Sequence, residues 1–168
     1  MQTVVDSFRF EGETVAVEDG QPWWVHYVIE LSEAWYTRRA LVSVRSPIAV
    51  RAIVLESDGD GHWRIDGRRQ PYLDGCVDVD LEASAVTNTF PVHRLALGVG
   101  GVADAPAAYV RALDGKVERL DQRYQRLPDE GGPQRYDYKA PRFGADFVLP
   151  YDASGLVTDY PGLAARTL

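Results

Sequence analysis

Apolar and polar positions alternate with a period of two through most of this chain, the signature of half-buried β-strands. In Trp24–Leu31, Val25, Tyr27, Ile29 and Leu31 share one face. In Ala40–Ser46, Val42 and Val44 oppose Ser43 and Arg45, and Ala49–Glu56 continues as a strand with Arg51 on a largely apolar surface. Cys76–Leu81 sets Val77, Val79 and Leu81 against Asp78, Asp80 and Glu82. The same rhythm predicts strands over Phe90–Leu97, Val117–Leu127, Arg135–Ala140 and Ala145–Tyr151. Turn signals separate the runs: Asp19-Gly20, Gly59 to Gly61, Asp66-Gly67, Asp74-Gly75, Asp114-Gly115, Pro128 to Pro133 and Ser154-Gly155. Strands at this spacing predict an all-β fold, a many-stranded antiparallel sheet rolled into a half-open β-barrel.

One segment breaks the rhythm. Asp104 to Gly115 offers an N-cap, an early proline, helix formers and a closing glycine, so local rules predict a short helix. A strand around Tyr109–Arg111 is the alternative, and both stay open at this level.

At 168 residues the chain predicts a single domain spanning 1–168. A net charge of -7 excludes the basic face that nucleic acid or anionic membrane attachment needs. With one cysteine, Cys76, an internal disulfide is excluded. The N-terminal stretch Met1 to Phe10 lacks a basic start and an apolar run, and no stretch reaches the roughly 20 apolar residues of a membrane span. These features predict a cytoplasmic protein.

The chemistry concentrates between Trp63 and Leu97. As strand neighbours, Asp78, Asp80 and Glu82 project from one face, ~6.5–7 Å apart. They read as a solvated outer face, a polar wall that takes sugar hydroxyls or pairs with arginines, or a metal site without histidine support. Thr87-Asn88-Thr89 is either a loop bonded to its own backbone or a recognition loop at a cavity mouth. Arg94 falls on the alternate face of Phe90 and Val92, where it needs an anion: Asp78, Asp80 or a ligand. His93 points the other way and reads as a satisfied or exposed side chain. Tyr124, Tyr136 and Tyr138 are ordinary core aromatics or the lining of a cavity for sugar rings or acyl chains. Trp63 invites the same two readings. Cys76 reads as a small buried hydrophobe. Ser84 has no nucleophile-elbow context, and Gly98 to Gly101 lacks the Lys-Ser/Thr of a phosphate loop. No catalytic residue, metal ligand or cofactor is expected.

The runs W-R-I-D-G, L-D-G-C-V-D-V-D-L and T-N-T-F-P-V-H-R-L resemble the signature of the bacterial putative glycolipid-binding family. Gln122 to Tyr124 with Tyr136 and Tyr138, and Gly155 to Gly162, are similar to its later blocks. The resemblance implies a β-roll akin in shape to lipoprotein carriers that hold acyl chains in a cavity. It favours a strand at Tyr109–Arg111, and the missing leader departs from the carrier analogy. The matching positions are Trp63, Asp66, Asp78, Asp80, Thr87, Asn88 and Arg94. Together with Tyr124, Tyr136 and Tyr138 they form the expected ligand-binding set. The expected function is non-enzymatic binding of an amphipathic small molecule, a lipid or glycolipid, in an apolar cavity with polar groups at one end. A small-molecule or sugar-processing enzyme and a ligand-free interaction module are the alternatives, and the oligomeric state is not legible.

Overall fold

The computed structural model describes residues 7–167. The first six residues of the N-terminal stretch read above lie outside the described residues. The first half is a meander: β1 (Ser7–Glu18), β2 (Gln21–Ser32), β3 (Thr37–Arg45), β4 (Val50–Ser57), β5 (Trp63–Ile65) and β6 (Arg68–Arg69) pair antiparallel in chain order. Its tight turns follow from the Asp-Gly pairs. Asp19 and Gly20 take φ 48° and 74°, and Asp66 and Gly67 take 49° and 77°. Positive φ at both central residues matches the twist of a two-residue hairpin. One face of this sheet buries Val25, Ile29, Leu31, Val42, Val44, Ile53, Leu55 and Trp63.

The second half comprises β7 (Asp78–Leu81), α1 (Thr89–Leu95), β8 (Val102–Asp104), β9 (Ala107–Val110), β10 (Val117–Leu120), β11 (Arg123–Arg126), β12 (Gln134–Ala140), β13 (Ala145–Tyr151), β14 (Asp159–Tyr160) and β15 (Ala164–Ala165). They form a three-stranded sheet in the order β10-β9-β7, a four-stranded sheet in the order β13-β12-β11-β8, and a terminal hairpin, β14-β15. The fold is thus mostly β, with several antiparallel sheets that do not close into a barrel. Among the described residues β7 and β9 form the one parallel pair; the chain between them carries α1 and β8. No helix among the described residues is long and apolar enough to cross a membrane.

Two hydrophobic clusters result. An aliphatic one lies between the six-stranded sheet and β7 and β9. A tyrosine-rich one, with Tyr109, Tyr124, Tyr136, Tyr138 and Tyr151, lies against the four-stranded sheet.

Two sequence expectations are corrected, and the open choice between helix and strand at Asp104 to Gly115 is settled as strand. Phe90–Leu97 is not a strand; Thr89–Leu95 is helix α1, closed by Ala96 at φ 44°. Pro91 sits in the first helical turn, where its missing N–H costs nothing, whereas in a strand it would break the ladder. Phe90 and Arg94 therefore share a face as i and i+4, and Val92 does not. Val117–Leu127 is two strands, because the chain leaves one sheet for the other at Asp121-Gln122. Asp104 to Gly115 is not helical: Ala107–Val110 forms β9, fully buried between β10 and β7. Tertiary pairing there overrides local helix propensity.

Candidate functional site: a buried acidic pocket ringed by tyrosines

The acidic strand β7 decides the site. Its Asp78 is 1 % and its Asp80 6 % exposed, and Val79 between them is fully buried. The solvated-face reading of these two carboxylates is therefore overturned. β7 is covered on both faces: Val79 and Leu81 pack into the aliphatic core, while Arg94, Thr87 and the pocket residues meet Asp78 and Asp80 on the other side. A buried carboxylate needs hydrogen-bond partners, and each finds different ones. Arg94 Nε and Nη2 donate to the two oxygens of Asp78 at 3.1 and 2.5 Å. Helix α1 presents that guanidinium with its side chain 9 % exposed, and the ring of Tyr36 lies 5.5 Å from it. Asp80 accepts from Thr87 Oγ1 at 2.5 Å, and that hydroxyl oxygen accepts from the Leu81 N–H at 3.3 Å. Glu82, half-buried, accepts from the Ala112 N–H at 2.7 Å.

Asp78 and Asp80 differ in one respect that matters chemically. Asp78 has a cation; among the described residues Asp80 has none. Burial pushes Asp80 up to about 6, with a further push from the neighbouring charge of Asp78. The Thr87 hydroxyl and the Leu81 N–H pull the other way without cancelling it. Burial also raises Asp78, which Arg94 opposes.

Asp80 opens onto a small cavity of about 50 Å³. Glu82, Asn88, Tyr109, Tyr138 and Tyr160 line it with polar groups, and Leu120, Phe143 and Leu163 with carbon. Its outer wall comes from two short segments. Phe143 belongs to the 3-10 turn Pro141–Phe143 and is 49 % exposed; Leu163, in the turn between β14 and β15, is 40 % exposed. Tyr160 packs edge-on against Tyr138, with ring centres 5.9 Å apart. Burial raises the hydroxyls of Tyr109, Tyr138 and Tyr160, so they stay protonated donors.

The expected ligand set divides cleanly. Asp80, Asn88 and Tyr138 line the pocket. Thr87 and Tyr124 stand behind it: Thr87 holds Asp80, and the Tyr124 hydroxyl accepts from Asn88 Nδ2 at 2.8 Å. Tyr136 packs near Arg126 and Tyr151. Asp78 and Arg94 satisfy each other. Trp63 and Asp66 are elsewhere. Trp63 is fully buried and donates Nε1 to the Cys76 carbonyl at 2.7 Å. Asp66 is an exposed turn residue that accepts from the Val54 N–H. Of residues 87–89, Asn88 alone lines the cavity, while Thr89 accepts from the Val157 N–H.

Glu82, read from the sequence as part of the acidic face, lines the pocket as well, whereas Tyr109, Tyr160, Phe143 and Leu163 were missed. These four come from three further segments, β9, the Pro141–Phe143 turn and the β14–β15 hairpin, and nothing in local spacing joins them. His93 also departs from expectation: it stacks on Trp35 at 3.7 Å between ring centres, and its buried Nε2 has no hydrogen-bond partner among the described residues. Cys76 is buried, and burial pushes its thiol up to about 11, as a packing residue requires. The wide apolar cavity is also corrected. Tyr124, Tyr136, Tyr138 and Tyr151 fill the interior by packing on one another, leaving the small pocket at Asp80.

Residues 1–166 match the model of the family described as "Putative glycolipid-binding". The chain belongs to this family. It is also similar to a DUF1089 family protein from Pseudomonas aeruginosa, known from a crystal structure at 1.80 Å resolution. The two share 33 % identity over 99 % of this chain and 95 % of that one, with a TM-score of 0.81. No curated protein matches the chain.

Proposed function

We propose that this member of the glycolipid-binding family is a non-enzymatic binding protein that seats the hydroxylated head of an amphipathic molecule against Asp80. The observation that carries the reading is a buried carboxylate without a cation, facing a cavity ringed by Asn88, Tyr109, Tyr138 and Tyr160. A site of this kind offers a strong charged acceptor beside neutral donors and acceptors, which suits hydroxyl groups that both donate and accept. At about 50 Å³ the cavity holds a water or one hydroxymethyl arm, not a ring or an acyl chain. A larger head requires Phe143 and the β14–β15 turn to move outward. The tail then lies along those same exposed apolar side chains.

Calorimetry with alkyl glycosides below their micelle concentrations tests this. Affinity should rise with chain length, by at most about 0.8 kcal/mol per CH₂, until the apolar surface at the mouth is covered. Asp80→Asn should weaken all members of the series alike. Binding should also weaken between pH 7 and pH 5 as Asp80 gains its proton. Equal affinity for free hexose and its alkyl glycoside, or no binding of either, would refute the reading.

An enzyme is the second reading. It is favoured by Asp80 and Glu82 lining one cavity, since paired carboxylates are what glycosidases use. Turnover of chromogenic aryl glycosides that Asp80→Asn and Glu82→Gln each abolish would select it.

A further inference from the structure

We propose that the groove at the seam between the two smaller sheets is a second ligand site, one that takes a phosphate-type anion. The groove has a volume of about 370 Å³. It lies where the chain crosses from β8 to β9 and from β10 to β11, and Pro106 and Pro141 supply apolar lining. Gln122 lines it while only 5 % exposed. Its side-chain carbonyl accepts from the Tyr138 hydroxyl at 3.0 Å. Its amide nitrogen makes no hydrogen bond to the described residues and is reached by solvent at the groove, where it can donate to an acceptor.

The cations around this amide have an unusual arrangement. Arg123 on β11 and Lys139 on β12 are directly opposed in the strand register. Like charges in that position repel. Their carboxylate partners lie on the outer sides: Asp104 on β8 beyond Arg123, and Asp146 on β13 beyond Lys139. Arg123 spends Nε and Nη2 on Asp104, at 2.7 and 3.3 Å, so Nη1 stays free. Lys139 meets Asp146 only at 3.4 Å and Asp137 at 3.6 Å. Between Arg123 and Lys139 the row therefore keeps donors to spare, Nη1 of Arg123 and the loosely held Nζ of Lys139, although Asp104 and Asp121 also line the groove. Arg119 at the groove's end is already engaged, by Asp121 at 2.9 Å and by the Asp74 carbonyl at 2.6 Å. A tetrahedral oxyanion between Arg123 and Lys139 would accept from both and from Gln122, and would relieve their repulsion.

This site is distinct from the Asp80 pocket. The Tyr138–Gln122 hydrogen bond separates them, with Tyr138 lining the pocket and Gln122 the groove. The proposal goes beyond the reading of the pocket and does not depend on it. The shared chemistry is phosphate, whether free, on a small metabolite or on a lipid head. The chain's net charge of -7 opposes long-range attraction of anions, so affinity should be modest and sensitive to salt.

The test is a titration of ¹⁵N-labelled protein with inorganic phosphate at constant ionic strength, chloride being the balancing anion. The Gln122 side-chain amide should shift saturably, together with the backbone signals of Arg123 and Lys139. Lys139→Gln and Arg123→Gln, both exposed changes, should each weaken binding about tenfold, the usual loss of one charge-assisted hydrogen bond. A second arm measures sedimentation with phosphatidylcholine vesicles with and without phosphatidylglycerol. Binding to the anionic vesicles that Lys139→Gln abolishes supports the site with a lipid source. Phosphate shifts without vesicle binding support it with a soluble source. No saturable shift combined with no vesicle binding overturns the proposal, as do shifts that persist unchanged in both variants. Asp80→Asn should leave phosphate binding intact, so failure of the pocket reading and failure of this one give different results.

Discussion

The two halves of this molecule bury opposite kinds of surface. Beneath the six-stranded sheet lie Val25, Ile29, Leu31, Val42, Val44, Ile53 and Leu55, whose side chains need only shape. Against the four-stranded sheet lie five buried tyrosines, and the second half also buries Asp78, Asp80, Thr87, Asn88, Gln122 and Arg126. Each of these groups must find a partner or lose stability. The aliphatic core can therefore tolerate exchange of similar volumes, whereas the polar core is specified bond by bond. Within it Asp80 is a buried carboxylate that has a hydroxyl partner but no cation among the described residues, and that marks the candidate site.

The contrast is tested hardest at Arg94. Removing its guanidinium leaves Asp78 buried without a counter-charge, so Arg94→Met should cost about 3–5 kcal/mol in urea unfolding. The double change with Asp78→Leu should recover much of that loss, because two apolar side chains need no partner. Recovery is the informative result. If the double variant stays as unstable as the single one, the polar core depends on the shape of the pair and not on its charges.

In the aliphatic core the corresponding cost is a cavity. Leu55, fully buried on β4, should lose about 2–5 kcal/mol on change to alanine. Leu55→Met, which nearly conserves volume, should lose less than about 1.5 kcal/mol. An equal loss from both would show that the first core is as exacting as the second.

This division also explains what could be read from the chain. The meander was legible because each strand's inner face repeats every second residue and Asp-Gly turns punctuate it. The Arg94–Asp78 pair was legible as a need: an arginine among apolar neighbours requires an anion. The helical state of Thr89–Leu95 was legible in Pro91, which a strand cannot carry in its middle, but period-two alternation concealed it. The burial of β7 was not legible, because alternating Val and Asp describes a half-wet strand equally well. What buries its acidic face is the parallel partner β9 and the crossing of α1, both long-range. The pocket's further residues, Tyr109 on β9, Phe143 before β13 and Tyr160 on β14, meet only through the sheet order.

A smaller effect should follow from pH. Asp80 sits at about 6 in the folded protein, above the ordinary carboxylate value of 3.8. The folded state therefore holds a proton that the unfolded chain has released. Its contribution to stability is complete below about pH 4 and is lost as pH rises through 6. The whole loss amounts to about 3 kcal/mol at most, the free energy of moving a proton between groups of those two affinities. Asp152, held low chiefly by Ser154 and Arg166, and Asp58, held near 2 by hydrogen bonds from Asp60 and His62 that outweigh desolvation, act in the opposite sense. They do so at lower pH, outside this window. Unfolding measured from pH 4 to pH 8 should show the decline in the wild type and a flatter profile in Asp80→Asn. Parallel profiles would mean that Asp80 is not the titrating group.

The smallest effect is expected at a second Arg–Asp fork of nearly the same geometry. Arg123 grips Asp104 through Nε and Nη2 much as Arg94 grips Asp78, but the two side chains are 58 % and 66 % exposed. Water already solvates both charges, salt screens their attraction, and holding two long side chains costs entropy. Arg123→Gln should leave the urea midpoint within measurement error of the wild type, in low and in high salt alike. The two substitutions together isolate one variable, since hydrogen-bond pattern and residue types are matched and burial is not. If Arg123→Gln destabilised the protein as much as Arg94→Met, burial would not be what separates the two forks. The polar core would then owe its strictness to the fork's geometry.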